Sequence, residues 1–402
     1  MSSASNPVNV AFLHDKLLLG GSVHVSHQTA LMFKHYNIKS HFFARDIDSN
    51  TFSLPKEHYN LEILPQGKLL TDEQVDFIIK KIIKLNIKIL FIATNLKIIP
   101  ARIKQETNCK IIYWLHSVPF WEVITKNIKR FSHYRFYPQR VLFPIAKGFI
   151  KLQYYSTLRR RKKIYLNILK ECDAYIVLCE EYKQDILHKL PEAQEFKNKI
   201  IPIINTIEPS EEKFLKKEKE IVYMGRLSYN DKRVDRLIRI WDKIYKELPD
   251  WKCKIYGTGD EEDNLKELIK NLKSERISLE GFTPNPQAIY KKASILCLTS
   301  NFEGVPLCII EAQNYGVIPV AFSCVAGINY VIGKNAGIII PPFKEELFAQ
   351  KLYELCSNDA LQEQLRYKCL SKRLEYSNKT NHSQWIKIFK IADVDFISTL
   401  DS

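Results

Sequence analysis

Glu220-Ile221-Val222-Tyr223-Met224-Gly225-Arg226-Leu227 is the stretch that decides the fold. A short apolar run of strand composition ends at a glycine and an arginine. It restarts a pattern that halts over Asn205 to Lys219, a polar, charged stretch containing Pro209. Downstream, strand-like runs at Lys252 to Tyr256, Arg276 to Leu279, Ser294 to Leu298, Val317 to Phe322 and Gly337 to Ile340 alternate with helical patterns. Those helices are expected at Val234 to Glu247, Glu261 to Leu272, Lys344 to Ser357 and Asp359 to Tyr376. Upstream, strands are expected at Val8 to Leu13, Ser40 to Ala44, Ile87 to Ala93, Lys110 to Leu115, Ala174 to Leu178 and Ile200 to Ile204. Helices at Ser22 to Tyr36, Asp72 to Leu85 and Glu180 to Leu190 fall between some of them. Such alternation implies parallel sheets covered by helices. A pause in the middle of 402 residues implies two cores, since single cores stop growing near about 250–300 residues. The expected divisions are 1–207, 208–378 and a tail over 379–402. Ligands of doubly wound sheets gather at the carboxyl ends of strands, here in a cleft between two halves.

Bulk composition excludes several classes. A hydrophobic content of 46% with 26% charged residues is that of a globular chain. No apolar run approaches the roughly 20 residues needed to span a bilayer, and the start, Met1 to Pro7, lacks the basic and apolar regions of a signal peptide. The nine cysteines include no C-x-x-C pair and several sit in apolar runs, which suits reduced, structural thiols and no zinc site. The +15 net charge is concentrated. Lys126, Lys129, Arg130, Arg135, Arg140, Lys147, Lys151, Arg159, Arg160, Arg161, Lys162, Lys163 and Lys170 follow one another without an intervening acid. Large aromatics, among them Phe131, Tyr137, Phe149 and Tyr155, are mixed with them.

Residues able to bind an anion collect after the strands of the second half. Arg226 ends the first of these and Lys232 follows six residues later. An arginine clamps phosphate through two parallel hydrogen bonds, and a lysine is a compact point charge. Gly257-Thr258-Gly259 closes the next strand and permits close backbone approach, and Gly281-Phe282 ends another. Glu303-Gly304-Val305-Pro306-Leu307-Cys308-Ile309-Ile310-Glu311 places two acids around a loop, with Pro306 expected at the first position of a helix running from Leu307 to Tyr315. A helix amino end offers free amides and a positive dipole to a phosphate. A carboxylate on either side accepts hydrogen bonds from sugar hydroxyls.

Taken in order, Gly225-Arg226-Leu227, Lys232, Gly257-x-Gly259, Gly281-Phe282, Thr299-Ser300, the two glutamates and Gly316-x-x-Pro319-Val320 resemble the retaining GT-B glycosyltransferases, closest to the group 1, or family four, nucleotide-sugar transferases. The resemblance implies an α/β fold of two Rossmann-like domains facing a cleft. It also implies a last helix, about Asn381 to Ile391 with Trp385 and Phe389, crossing back to the amino-terminal domain. By the same resemblance Arg226 and Lys232 neutralise the donor diphosphate, Glu303 holds hydroxyls of the transferred sugar and Glu311 those of the ribose. Gly304 and the amides of Val305 and Leu307 face the phosphates. Gly20-Gly21 matches the family's glycine pair, and His116, after the strand ending at Leu115, its histidine near the reacting carbon. Two departures stand out. Pro306 occupies a place often held by glycine and has no amide to give, and Asn329-Tyr330 stands where an acid is frequent.

The implied enzyme moves a hexose-type sugar with retention from a UDP- or GDP-linked donor to an acceptor hydroxyl, without metal or cofactor. The acceptor implied is a lipid-linked glycan or a surface polysaccharide precursor. The basic, aromatic stretch over 126–170, above all Arg159, Arg160, Arg161, Lys162 and Lys163, suits an anionic membrane surface at about 1 kcal/mol per cation. This places the chain in the cytoplasm, on the inner face of the membrane, with no nucleic-acid partner expected. Two rivals remain: a GT-B sugar epimerase, and a non-catalytic basic protein that binds membrane or nucleic acid on the same scaffold.

Overall fold

Runs of Val, Ile and Phe buried on both faces become two parallel sheets. The computed structural model describes residues 7–17, 20–47, 60–132, 143–210 and 216–394, apart from the side chains of 127–132 and 143–148. Two units cluster separately: residues 1–119, 156–206 and 378–402 form one, residues 120–155 and 207–377 the other.

The first unit holds β1 (Val8–Leu17), β2 (Ile38–Ile47), β3 (Asn60–Ile63), β4 (Ile87–Ile92), β5 (Lys110–Trp114), β6 (Ala174–Val177) and β7 (Ile200–Pro202). They pair in parallel in the order β3-β2-β1-β4-β5-β6-β7. Around them lie α1 (Gly21–Lys34), α2 (Asp72–Leu85), α3 (Ala101–Glu106) and, after α4 (Trp121–Ser132) and α5 (Phe143–Glu171), α6 (Glu180–Lys189). Strand order reverses between β1 and β4. The core is aromatic: Phe12 stacks on Phe42 and Phe91 with ring centroids 5.1 and 5.0 Å apart.

The second unit holds β8 (Glu220–Met224), β9 (Lys252–Tyr256), β10 (Ile277–Gly281), β11 (Ile295–Leu298), β12 (Ile318–Phe322) and β13 (Ile338–Ile340), in the order β10-β9-β8-β11-β12-β13. Its helices are α7 (Val234–Ile244), α8 (Glu262–Leu272), α9 (Pro286–Lys292), α10 (Leu307–Asn314), α11 (Ala326–Ile332), α12 (Glu345–Cys356) and α13 (Asp359–Lys372). Here the order reverses between β8 and β11, which makes the loops after these two strands the place where such a sheet receives a ligand.

The last helix, α14 (His382–Lys390), belongs to the first unit, as the resemblance implies. Trp385 stands edge-on to Phe33 at 5.1 Å and to Trp114 at 5.6 Å, and Phe389 meets Phe33 at 5.1 Å. Asn381 Nδ2 donates to Ile204 O at 2.6 Å, and Thr206 Oγ1 to Asn378 Oδ1 at 2.7 Å, tying the returning chain to the end of the first pass.

Two expectations need correction. Pro306 is not the first helical residue: its ψ of 111° is extended, so it caps α10 and Leu307 begins the helix. Arg161 cannot face a membrane. Thr157, Arg161, Tyr165 and Leu169 recur every fourth residue of α5 and all are buried, Arg161 being 8% exposed. Arg159, Arg160 and Lys163 are exposed and Lys162 is half-buried. Lys129, Arg130, Arg135, Arg140 and Lys147, with the aromatics Phe131 and Tyr137, lie outside the described side chains.

Gly257 and Gly259 have a packing role that their sequence does not announce. Gly257 has φ +137°, and a Cβ there would lie 1.8 Å from Gly225 O; at Gly259 it would lie 2.1 Å from Leu227 O. The loops after β8 and β9 touch backbone to backbone, with Leu227 N donating to Thr258 O at 2.9 Å. Gly257→Ala is therefore expected to lower stability by at least about 1–3 kcal/mol, the scale of such backbone strain. Urea unfolding of the variant checks this, and a midpoint equal to wild type would show that the loops part freely.

Candidate active site

The loops after β8 and β11 bring four charged side chains of the second unit together. Glu303 lies in the loop between β11 and α10 and is buried. Its two carboxylate oxygens accept from Lys232 Nζ at 2.8 and 2.7 Å, and Oε1 also accepts from Ser300 Oγ at 2.7 Å. Lys232 follows the β8 loop just ahead of α7. Burial alone would lower its ammonium, and the Glu303 carboxylate more than offsets this, so the group sits above its ordinary value.

Arg226 is the outer cation. Its guanidinium is largely exposed and donates from Nη2 to Asp231 Oδ2 at 2.6 Å. Asp231 also accepts from Ser228 Oγ. Burial opposes its charge, but these two donors win and hold the carboxyl below the usual range. Each cation predicted for a diphosphate thus already holds a carboxylate, one buried and one near the surface.

Glu311 lies on α10, four residues into the helix. Tyr290 of α9 donates its hydroxyl to Glu311 Oε2 at 3.0 Å. Burial pushes the Glu311 carboxyl up, and the tyrosine bond opposes that rise. No side chain caps the amino end of α10, where Val305 is buried and Gly304 half-buried. Arg233, next to Lys232, adopts a left-handed φ of +52°. It is held there by a forked pair with Asp235 at 2.9 and 3.0 Å and by the Tyr229 ring at 4.3 Å. Nothing in the sequence spacing singles out Asp231, Arg233 or Tyr290. Their roles depend on which loops meet in space.

In the first unit, Gly20 caps α1 in an extended conformation and Gly21 begins the helix, so both stand just after β1. His116 follows β5 and stacks on Trp114 at 4.6 Å. Its ring nitrogens are buried with no hydrogen-bond partner among the described residues. Burial, with a smaller contribution from His14, lowers it to about 3. His14 lies within β1, its Nε2 3.1 Å from Ser26 Oγ, and burial lowers it to about 4. Asp15 is engaged by Arg45 at 2.8 Å. Among the described residues no group of three His, Cys, Asp or Glu is placed to hold a metal ion.

Two cations, two carboxylates and a helix amino end can bind a phosphate flanked by hydroxylated rings. Residues 205–394 match the model of the family described as glycosyl transferases group 1. An uncharacterized glycosyltransferase of Haemophilus influenzae is 32% identical over 218 residues, covering 53% of this chain and 60% of that protein. The amylovoran biosynthesis glycosyltransferase AmsD of Erwinia amylovora is 29% identical over 183 residues, covering 45% and 51%. The chain therefore spans only half to three-fifths of the length of these curated relatives. Among solved structures, HepE of Anabaena in complex with UDP and glucose superimposes with a TM-score of 0.70 at 15% identity, covering 95% of this chain and 99% of that one. The fold is that of the GT-B enzymes.

The two histidines set an acid limit on the first unit. Both have folded values depressed below the unfolded value near 6.5, so their contribution is complete above that pH and is lost as pH falls. Between about pH 6.5 and 4 each should cost up to about 1.4 kcal/mol per pH unit. A His14→Gln/His116→Gln double variant should flatten that slope in a series of urea midpoints; an unchanged slope would show that the rings are charged when folded.

Proposed function

With residues 205–394 belonging to the group 1 glycosyl transferases, we propose that this chain is a retaining glycosyltransferase. It takes a hexose-type sugar from a UDP- or GDP-linked donor and transfers it to an acceptor hydroxyl. The observation that supports the reading is the Lys232–Glu303 ion pair in the loops after β8 and β11, where the strand order of the second sheet reverses, with Arg226 on Asp231 in the first of these loops and Glu311 on Tyr290 at α10.

The ion pairs suggest how the donor enters. A diphosphate arriving at Lys232 replaces the Glu303 carboxylate as its counter-ion, and the released carboxylate turns to accept hydroxyls of the transferred sugar. The amides of Val305 and Leu307 at the start of α10 meet the phosphates, with Gly304 giving the loop clearance. Gly257 shapes the neighbouring turn. Glu311 accepts from the ribose hydroxyls.

In the chemical step the bond from the anomeric carbon to the diphosphate oxygen breaks, and a bond to the acceptor oxygen forms on the same face. The acceptor proton passes to the departing diphosphate. Lys232 and Arg226 stabilise the charge that grows there, so this step calls for no metal. In the first unit Gly20 and Gly21 leave backbone amides unobstructed for a ligand. His116, neutral by burial, suits a hydrogen bond to a hydroxyl and not an ion pair.

The acceptor we assign is a lipid-linked glycan or polysaccharide precursor at the inner face of a membrane. Supporting this, α5 exposes Lys151, Arg159, Arg160 and Lys163, and Phe149, Leu152 and Tyr155 are also exposed on it. Among the described residues no helix is long and apolar enough to cross a membrane, and the association we propose is a peripheral one.

Thermal unfolding with UDP, GDP, ADP and CMP tests the donor site. One nucleoside diphosphate at a hundredfold its Kd should stabilise the protein by about 2.7 kcal/mol, and Glu311→Ala should abolish the effect. If none stabilises it at millimolar concentration, the transferase reading falls and a basic binding protein replaces it. Lys232→Ala should lower kcat/KM by roughly 10²–10³, the usual cost of one charge-stabilising group. Sedimentation with anionic vesicles should fall sharply in an Arg159→Glu/Arg160→Glu/Lys163→Glu variant; equal sedimentation would remove the membrane assignment.

A further inference from the structure

Tyr290 has no place in the transfer chemistry, yet it is the residue that holds Glu311. It projects from α9 and is fully buried, its ring lying parallel to that of Tyr315 at 6.5 Å. Lys217 Nζ donates to its backbone carbonyl at 2.6 Å, which fixes this end of α9 from a second side. A tyrosine hydroxyl so deep normally finds an acceptor. This one finds Glu311 Oε2 at 3.0 Å, a carboxylate itself mostly enclosed.

The bond has three consequences. It fixes one rotamer of a side chain that otherwise has several. It occupies Oε2 and leaves Oε1 to a ligand. And because the tyrosine is the donor, the carboxylate meets its ligand as an acceptor, which is the part that a ribose diol requires. Burial works in the opposite sense by favouring the protonated acid, and a protonated Glu311 would offer a donor where an acceptor is needed. Among the described residues the titratable group that interacts with it besides Tyr290 is Cys308, three residues earlier on α10, whose thiol is pushed up by burial and, to a smaller extent, by Glu311, and so stays neutral. Removing only the tyrosine oxygen should therefore leave the fold and spoil the recognition.

We propose that Tyr290 is a positioning residue of the nucleotide site, whose hydroxyl presents Glu311 to the ribose diol and so sets the preference for ribonucleotide over 2′-deoxyribonucleotide donors. The assignment rests on the donor reading of Glu311 given above.

The test is a double-mutant cycle of Tyr290→Phe and Glu311→Ala, read by titration calorimetry with UDP, GDP and their 2′-deoxy forms. Tyr290→Phe keeps the ring on Tyr315, so its ligand-free unfolding midpoint should stay near that of wild type. Its affinity for the ribonucleoside diphosphate should fall up to about tenfold, the scale of one net hydrogen bond, and the preference over the deoxy form should shrink in step. In turnover, donor KM should rise while kcat at saturating donor holds. In the Glu311→Ala background the same change should cost nothing further, because the group it acts through is gone. Additive losses would show that Tyr290 acts through packing, and would overturn the assignment. If Glu311→Ala loses binding while Tyr290→Phe binds as wild type, the donor site stands and the role of Tyr290 is refuted. If Glu311→Ala itself binds as wild type, the donor reading falls and takes this inference with it.

Discussion

The pairing of Lys232 with Glu303 is the interaction on which the second unit's site depends. An ammonium and a carboxylate withdrawn from water lose several kcal/mol of hydration each, and only close, well-oriented partners recover it. Here both carboxylate oxygens face the same nitrogen, and Ser300 satisfies one of them again. The pair keeps a buried site neutral while no anion occupies it. The Arg226–Asp231 pair is as short but engages one carboxylate oxygen, and its guanidinium is mostly in solvent, where an ion pair contributes at most about 1 kcal/mol. An anion therefore meets little resistance at the outer cation and more at the inner one. In the proposed reading, the inner exchange decides whether a ligand is accepted, because it alone must find a substitute for a buried bond.

Topology explains why these residues meet at all. Glu303 and Lys232 are far apart in sequence, and they are neighbours because β8 and β11 pair in parallel at the place where the strand order turns back. Helices leave such a point in opposite directions and open a gap above the sheet. The glycines after β9 close the side of that gap by letting one loop lie on the next without side chains between them. Burial, charge and open space are thus supplied by three different elements at one location.

Much of this was legible in the sequence. Period and composition gave the strands of both sheets except β3, because residues buried on both faces leave unbroken apolar runs, and that short edge strand is half-buried to exposed throughout. The break at Asn205 to Lys219 marked the change of unit for the same reason. Arg226, Lys232 and Glu303 could be picked out since each lies in a loop after a strand, where such folds meet ligands, and Glu311 by its spacing from Glu303 across the start of a helix. Other features were hidden. The helix α5 was read only as part of a basic, aromatic membrane-facing stretch, because its buried face includes Arg161, which hides the apolar period. Pro306 takes the cap of α10 and not its first turn, a matter of one ψ angle that composition does not encode. Asp231 and Tyr290 hold functional side chains only through tertiary contact, and no spacing rule links Tyr290 on one helix to Glu311 on the next. Arg233 stands in a backbone conformation that favours glycine. Its side-chain partners Asp235 and Tyr229 offset that cost, and a sequence does not show such compensation.

The path of the chain also bears on how it is made. The core of the first unit includes Phe33 and Phe91 from early strands and helices, and Trp385 and Phe389 from the last helix. On the ribosome the first of these emerge long before the last. Residues 207–377, by contrast, form a unit continuous in sequence apart from the segment over 120–155. Domains that are contiguous complete themselves as they leave the exit tunnel. The unit synthesised first is then the one whose core closes last, and for most of translation its aromatic centre waits uncovered for a helix not yet made. Apolar surface exposed for that long is what chaperones bind. The unit whose synthesis begins first is thus the one whose residues are completed last.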